Sequence, residues 1–183
     1  MVAGKFLEKA PDEKDRRHSY AGDEETTHFG FRTVPVREKV TWVRKHFDAI
    51  AHKYDMANTL LSFGIHYLWK RTAVKLAGLK EGDAVLDVCG GTGDLSLLAL
   101  KQAGPSGKVV LYDINRAMME AGRRKPTHAE ERRHILYVQG DAERISFASG
   151  CFDAVLVGFG IRNLTRMEEG LREMYRVLKP GGR

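Results

Sequence analysis

The residues best suited to holding a small molecule lie in Val85-Leu86-Asp87-Val88-Cys89-Gly90-Gly91-Thr92-Gly93-Asp94-Leu95. An apolar run ends on an acid, passes through a glycine-rich turn and opens into an apolar-periodic segment. That order reads as strand, tight loop and helix, the nucleoside corner of a doubly wound α/β fold. A dinucleotide loop would need Gly-x-Gly-x-x-Gly, and counted from Gly91 the third place is Ser96. Asp87 would also repel a pyrophosphate, but it suits a cationic ligand end. S-adenosylmethionine carries an ammonium and a sulfonium and no phosphate, so the loop favours it over NAD. Gly91 and Gly93 let the backbone approach such a ligand. Thr92 is placed to donate to its carboxylate, beside the positive end of the following helix. Asp87 reads equally well as facing the ammonium and as a strand-end carboxylate that fixes the loop.

Two further acids follow at strand ends. Lys108 to Asp113 reads as a second strand, and Asp113 stands 20 residues after Gly93, where a carboxylate accepts from ribose hydroxyls. His134 to Ala142 reads as a third strand and polar turn, with Asp141 an acceptor for an adenine amino group and Ala142 a backbone donor. Phe152 to Gly158 is a fourth strand. The ordered series of acid and glycine loop, acid, Gly-Asp-Ala, Phe-Asp-x-Val and Leu-Lys-Pro-Gly-Gly resembles class I S-adenosylmethionine-dependent methyltransferases. The fold this implies is α/β, a Rossmann-like doubly wound sheet with an N-terminal helical cap.

Residues 1–24 are charge-mixed and without a period that could bury anything, so they read as a flexible arm. Residues 25–80 read as the helical cap, and 81–183 as the cofactor-binding unit. In the cap, Val40, Val43, Phe47, Ile50 and Ala51 recur at helical spacing from about Val36. A second helix is expected near His66 to Ala77, with Leu68, Ala73, Leu76 and Ala77 as its buried face. His66 and Trp69 read as a half-buried histidine beside a core tryptophan rather than as contacts to a lipidic ring, and Met118 and Met119 as core. Further on, helices are expected from Leu95 to Ala103 and from Ala117 to Arg124, the latter capped by Asn115 and ended by Pro126. Thr165 and Glu168 suggest a capping box for a last helix with a Met167, Leu171, Met174, Leu178 stripe. The chain then stops at Arg183, after the turn that should deliver a fifth strand, where a seven-stranded sheet needs three more. The expectation is a truncated sheet whose fourth strand is an unpaired apolar edge.

The bulk properties narrow the function. The 183 residues suffice for one domain with a core, and no run approaches the ~20 apolar residues of a membrane span. The N-terminus has no signal-peptide core, which points to the cytoplasm. Cys89 and Cys151 lack metal spacing and read as reduced thiols. A net charge of +6 invites a nucleic-acid reading, but the basic residues are scattered among acids. Asn/Asp-Pro-Pro-Tyr and a Pro-Cys nucleophile are both absent, so no nucleic-acid partner is expected. Loose attraction to an anionic membrane surface suits the charge at least as well.

A closer resemblance is carried by Glu25-Thr26-Thr27-His28-Phe29-Gly30-Phe31, by Phe47-x-x-Ile50-Ala51-x-x-Tyr54-Asp55-x-x-Asn58 and by Leu61-Ser62-Phe63-Gly64-Ile65-His66-x-Leu68-Trp69-Lys70-Arg71. Gly158-Phe159-Gly160-Ile161-Arg162-Asn163 and Met174 to Arg183 extend it. Over residues 25–183 the chain is similar to the quinone C-methyltransferases of ubiquinone and menaquinone biosynthesis, including demethylmenaquinone methyltransferase. The resemblance implies methyl transfer from S-adenosylmethionine to a ring carbon of a polyprenylated quinol. It implies cofactor contacts at Thr92, Asp113, Asp141 and Ala142, and at Gly158, where the family usually has serine. It also implies a lipophilic quinol substrate and contact with the membrane or a quinone-biosynthesis complex. A homo-oligomer is compatible with it.

Within that reaction, Arg162 is a candidate to hold a phenolate or order a proton-accepting water, or else to form a loop salt bridge. Its own pKa is too high for an ordinary base. Asn163 is a candidate to orient the substrate hydroxyl. Tyr54 and Asp55 either close the site or serve helix packing and capping. No metal is expected. The alternatives are a non-catalytic fragment that holds the cofactor, or a methyltransferase of another small molecule.

Overall fold

The computed structural model describes residues 26–29, 32–51 and 54–183. The proposed arm, residues 1–24, lies outside them.

The cap opens with a feature that periodicity did not reveal. Strands β1 (Thr26–Phe29) and β2 (Arg32–Pro35) form an antiparallel hairpin ahead of α1 (Val36–Ile50). Pro35 precedes the first helical turn, and its fixed φ is compatible with a helix entry. Helices α2 (Tyr54–Leu61) and α3 (Ile65–Leu76) follow, joined by a turn through Phe63 and Gly64, both at positive φ. The expected buried face of α3 is wrong. Leu68 and Leu76 are exposed, and His66 and Val74 point inward instead. Apolar residues occur on both sides of this helix, so periodicity alone could not choose the face.

Four parallel strands follow: β3 (Ala84–Val88), β4 (Lys108–Asp113), β5 (Ile135–Gln139) and β6 (Ala154–Val157). Their order is β5-β4-β3-β6. The chain builds outward from β3 to β5, then crosses back to place β6 on the other side of β3. The carboxyl ends of β3 and β6 therefore flank the point where strand order reverses, the place at which open α/β sheets bind ligands. Both faces of the sheet are covered, so β3 and β4 read as nearly continuous apolar runs. One face packs Leu86, Val88, Val110 and Tyr112 against Met174 and Val177 of α7 (Met167–Val177). The other packs Val85 and Val109 against Val74 of α3 and Ala99 of α4 (Asp94–Ala103).

Helix α5 (Arg116–Arg123) is capped as the sequence suggests, with Asn115 Oδ1 accepting from the Met118 N–H at 2.9 Å. The short α6 (Ala129–Arg133) precedes β5. The capping box proposed for α7 does not form. The Glu143 carboxylate, from a distant loop, accepts from the Thr165 and Arg166 N–H groups. The inward stripe of α7 is Gly170, Met174 and Val177, while Met167 and Leu171 are exposed. The outer edge of β6 is not wholly unpaired: the Val155 N–H donates to the Arg183 carbonyl at 2.9 Å and the Arg183 N–H to the Asp153 carbonyl at 3.1 Å. Among the described residues, no helix is long and apolar enough to cross a membrane.

Candidate cofactor-binding site

A cavity opens at the carboxyl ends of β3 and β4, roofed by α1 and α2 of the cap. The alternation of β3 turns Asp87 toward α4, the same face as Val85. Its side chain is fully buried, and Oδ2 accepts from Ser96 Oγ at 2.6 Å. Thus Ser96, the residue that breaks the dinucleotide pattern, anchors the acid. Burial pushes the Asp87 carboxyl up to about 7, against the Ser96 hydrogen bonds. Its Oδ1 is buried with no hydrogen-bond partner on the cavity wall. A buried acceptor without a donor is costly and calls for explanation by a ligand or ordered water.

Asp113 closes the loop from β4. Its Oδ2 accepts from the Gly91 N–H at 2.8 Å and its Oδ1 from the Asn115 N–H at 2.7 Å. Burial raises its pKa, and these two N–H groups work against the rise. Each oxygen retains a further lone pair, so the same carboxylate that shapes the glycine loop can still accept from a ligand.

Thr92 is buried on the wall, but its hydroxyl proton goes to Asp55 Oδ1 at 2.8 Å. Asp55 also pairs with Lys125. Asp94, the next acid in the loop, accepts from Lys70 at 2.8 Å and Lys125 at 2.9 Å. Burial would raise the Asp94 pKa, but Lys70 and Lys125 together outweigh it and hold the group at about 2. Asp55 thus ties α2 to the glycine loop through Thr92, and through Lys125 to Asp94. A second tie comes from α1, where Asn115 Nδ2 donates to Asp48 Oδ1 at 2.9 Å. A third runs from buried Lys39, whose ammonium donates to the Leu164 carbonyl at 2.8 Å. Sequence reading missed these ties because the partners lie tens of residues apart.

The remaining candidates divide. Asp141 and Ala142 both line the cavity, with Asp141 Oδ1 accepting from the Glu143 N–H at 2.9 Å in a local turn. Gly158 lines it too. A β-carbon there would stand 3.1 Å from Leu95 Cδ1, so a serine would need Leu95 to yield slightly. Tyr54 lines the cavity with its ring 5.8 Å from that of Phe47. The 3-10 helix Phe159–Asn163 brings Asn163 to the wall but leaves Arg162 exposed and off it. Met118 is buried and lines the cavity, and Met119 is core. His66 is buried and bonded to Ser62 Oγ at 2.7 Å. Trp69 is not core: it is half-exposed, with its ring 6.1 Å from Phe159 at the cavity.

The wall chemistry fits S-adenosylmethionine. Asp87, Asp113 and Asp141 stand at three successive strand ends on the wall, acceptors that an ammonium, ribose hydroxyls and an amino group would suit. The orphaned Asp87 Oδ1 is a buried oxygen without a hydrogen-bond partner. The same acids would oppose a pyrophosphate.

Comparison with known proteins agrees with this chemistry. Residues 33–183 match the ubiE/COQ5 methyltransferase family. The ubiquinone/menaquinone biosynthesis C-methyltransferase UbiE of Methylococcus capsulatus is 51% identical over 160 residues, 87% of this chain and 64% of that protein. The chain spans just under two thirds of the length of such relatives. Among solved structures, a SAM-dependent methyltransferase from Aquifex aeolicus superposes with a TM-score of 0.54 at 27% identity, covering 61% of this chain and 58% of that one. An arsenic(III) S-adenosylmethionine methyltransferase from Chlamydomonas reinhardtii gives 0.51 at 30%, covering 56% and 37%.

Proposed function

The chain belongs to the ubiE/COQ5 methyltransferase family, and from that premise we propose that it is an S-adenosylmethionine-dependent C-methyltransferase that methylates the ring of a polyprenylated quinol in quinone biosynthesis. The observation that carries the cofactor half is the unpartnered Asp87 Oδ1 on a wall that also holds Asp113 and Asp141. The substrate half rests on the relatives, since a methyltransferase with arsenic(III) chemistry shares the fold.

S-adenosylmethionine, when bound, supplies an electrophilic methyl group. The chain's residues bind and orient. Asp87 meets the ammonium, Asp113 the ribose hydroxyls, and Asp141 with the Ala142 N–H the adenine. Gly91 and Gly93 keep the loop backbone close, and Gly158 leaves room beside Leu95. The Thr92 backbone faces the carboxylate end, its hydroxyl being committed to Asp55. Tyr54 and Asn163, on the wall from opposite elements, orient the ring hydroxyl. Arg162 is exposed and off the wall, beside Asn163 in sequence; its proposed part is reduced to a fixed positive charge that favours a phenolate over a phenol. The α1–α2 roof excludes water, and positioning of this kind is the largest contribution available to such a transfer. The lipophilic substrate places the reaction at the cytoplasmic face of the inner membrane.

The test is incorporation of labelled methyl from S-adenosylmethionine into demethylmenaquinol and into the ubiquinone precursor, side by side, with Asp113→Ala as control. Loss of a charged acceptor should weaken cofactor binding by ~2 kcal/mol, about 30-fold. An unchanged dissociation constant would remove Asp113 from the site. Binding of NAD in preference to S-adenosylmethionine would overturn the cofactor assignment.

A further inference from the structure

Ion pairs gather at the glycine loop and leave one charge over. Asp94 pairs with Lys70 at 2.8 Å, with Lys125 at 2.9 Å and with Arg132 at 3.7 Å, and Lys125 reaches on to Asp55. All five side chains are mostly buried. Among the described residues this network therefore joins three cations to two carboxylates, a surplus of one positive charge. A charge withdrawn from bulk water favours an anion beside it. Lys125 bridges both acids, and Arg132 also donates to the Thr92 and Thr127 carbonyls. Of these three cations, Lys70 is the one on the cavity wall.

The Lys70 ammonium has three N–H donors, and one goes to Asp94 Oδ2 at 2.8 Å. Among the described residues no second acceptor takes from it, and the Tyr67 ring lies 6.0 Å away. Because Lys125 and Arg132 also serve Asp94, that acid does not claim the whole charge of Lys70. The same wall carries Asp87, whose buried Oδ1 has no partner. Burial raises the Asp87 pKa, and the charge of Lys70 is near enough to work against that rise. The positive end of α4 opens at Asp94 and adds to the field. An acceptor without a donor and a cation with donors to spare, on one wall, complement a ligand end that is itself a zwitterion.

We propose that Lys70 binds the carboxylate at the amino-acid end of S-adenosylmethionine while Asp87 takes its ammonium, and that Lys70 thereby selects the zwitterionic cofactor over adenosyl ligands that lack a carboxylate. Asp94 positions the ammonium of Lys70 for this contact. The inference rests on the cofactor assignment made above, but the part given to Lys70 can fail while that assignment stands.

Titration calorimetry of the chain with S-adenosylmethionine and with decarboxylated S-adenosylmethionine tests this without turnover. The two ligands differ by the carboxylate alone, so the ratio of their dissociation constants reads the contact. Wild type should bind the complete cofactor about tenfold or more tightly. Lys70→Gln should lower that ratio about tenfold, by weakening the complete cofactor and leaving the decarboxylated one within about twofold. Lys70→Met keeps most of the packing of the stem and carries the test if Lys70→Gln folds poorly. Lys70→Arg, which keeps the charge, should restore the preference. Asp94→Asn breaks the ion pair and leaves the ammonium, so it should keep the preference whatever it does to affinity. An unchanged ratio in Lys70→Gln and Lys70→Met would overturn the proposal, whether both affinities hold or both fall together, as they would if Lys70 only pinned α3 to the loop. So would a wild-type ratio near one. Failure of wild type to bind S-adenosylmethionine at all would overturn the cofactor assignment, and this inference with it.

Discussion

At the carboxyl ends of β3 and β4, charged groups are buried among backbone amides, whereas along α2 and α3 leucines and aromatic rings stand in water. Asp87 is fully buried and Asp113 nearly so, and both are held by short hydrogen bonds. Phe63 is 90% exposed and Leu76 81%. Burying a carboxylate and exposing a leucine both oppose the ordinary partition. A cation would relieve the first departure, and cover by apolar surface the second. Two polar ties join the regions: Asp55 of α2 accepts from Thr92, and Lys70 of α3 donates to Asp94. The apolar hairpin is therefore anchored to the loop it roofs, although few of its apolar side chains are buried.

The comparison breaks most visibly at Asp87. Its carboxyl titrates at about 7 in the fold against 3.8 when free. The folded state thus holds a proton that the unfolded state gives up. Stability from this group is full below about 4 and is lost as pH rises through about 7. By about pH 8 the loss is on the order of 4 kcal/mol. Asp87→Asn keeps the shape and cannot ionise. The difference between wild-type and variant unfolding free energies, measured from pH 4 to 9, should widen by that order in the variant's favour. A difference independent of pH would show that Asp87 is already compensated as an anion. The same variant should bind S-adenosylmethionine more weakly, because the amide offers the ammonium no charge.

A smaller effect is expected where α5 meets the glycine loop. A β-carbon on buried Gly122 would stand 2.5 Å from the Thr92 carbonyl oxygen and 2.8 Å from its carbon. Both are backbone atoms, so a rotamer change cannot relieve the clash. Gly122→Ala should lower stability by about 3 kcal/mol, the upper part of the overpacking range, and weaken cofactor binding with it. Normal denaturant midpoints for this variant would mean that α5 sits farther from the loop.

The smallest effect sharpens the other side. Leu76→Gln, at a position 81% exposed, should change the unfolding free energy by less than ~0.5 kcal/mol. A cost above ~2 kcal/mol would mean that Leu76 packs against something in solution and that the outward face of α3 is covered.

The ligand corner was legible because its determinants are local. Asp87, the glycines, Asp113 and Asp141 each sit at a strand end, and a strand end is marked by neighbouring residues. The parallel alternation of strand and helix brings such ends to one rim whatever the loop lengths. The cap was less legible. A helix wheel shows that α3 has more than one apolar side, but only the packing of Val74 against the sheet decides which side faces inward. Thr165 and Glu168 have the spacing of a capping box, yet Glu143 takes the cap from a loop that no local rule could pair with α7.

By itself, then, the sequence determined the kind of fold, the rim on which the ligand sits and the acidic character that selects that ligand. These follow from strand period, turn chemistry and the sign of charge at short range. Tertiary structure decided the rest. It gave the Thr92 hydroxyl to Asp55, carried Asn163 to the wall while leaving Arg162 outside, and set Ser96 under Asp87. It also turned the apolar side of α3 outward. Each of these is a choice between partners far apart in the chain, made by the distances that the packed sheet and its cap impose, and a linear pattern carries no record of such distances.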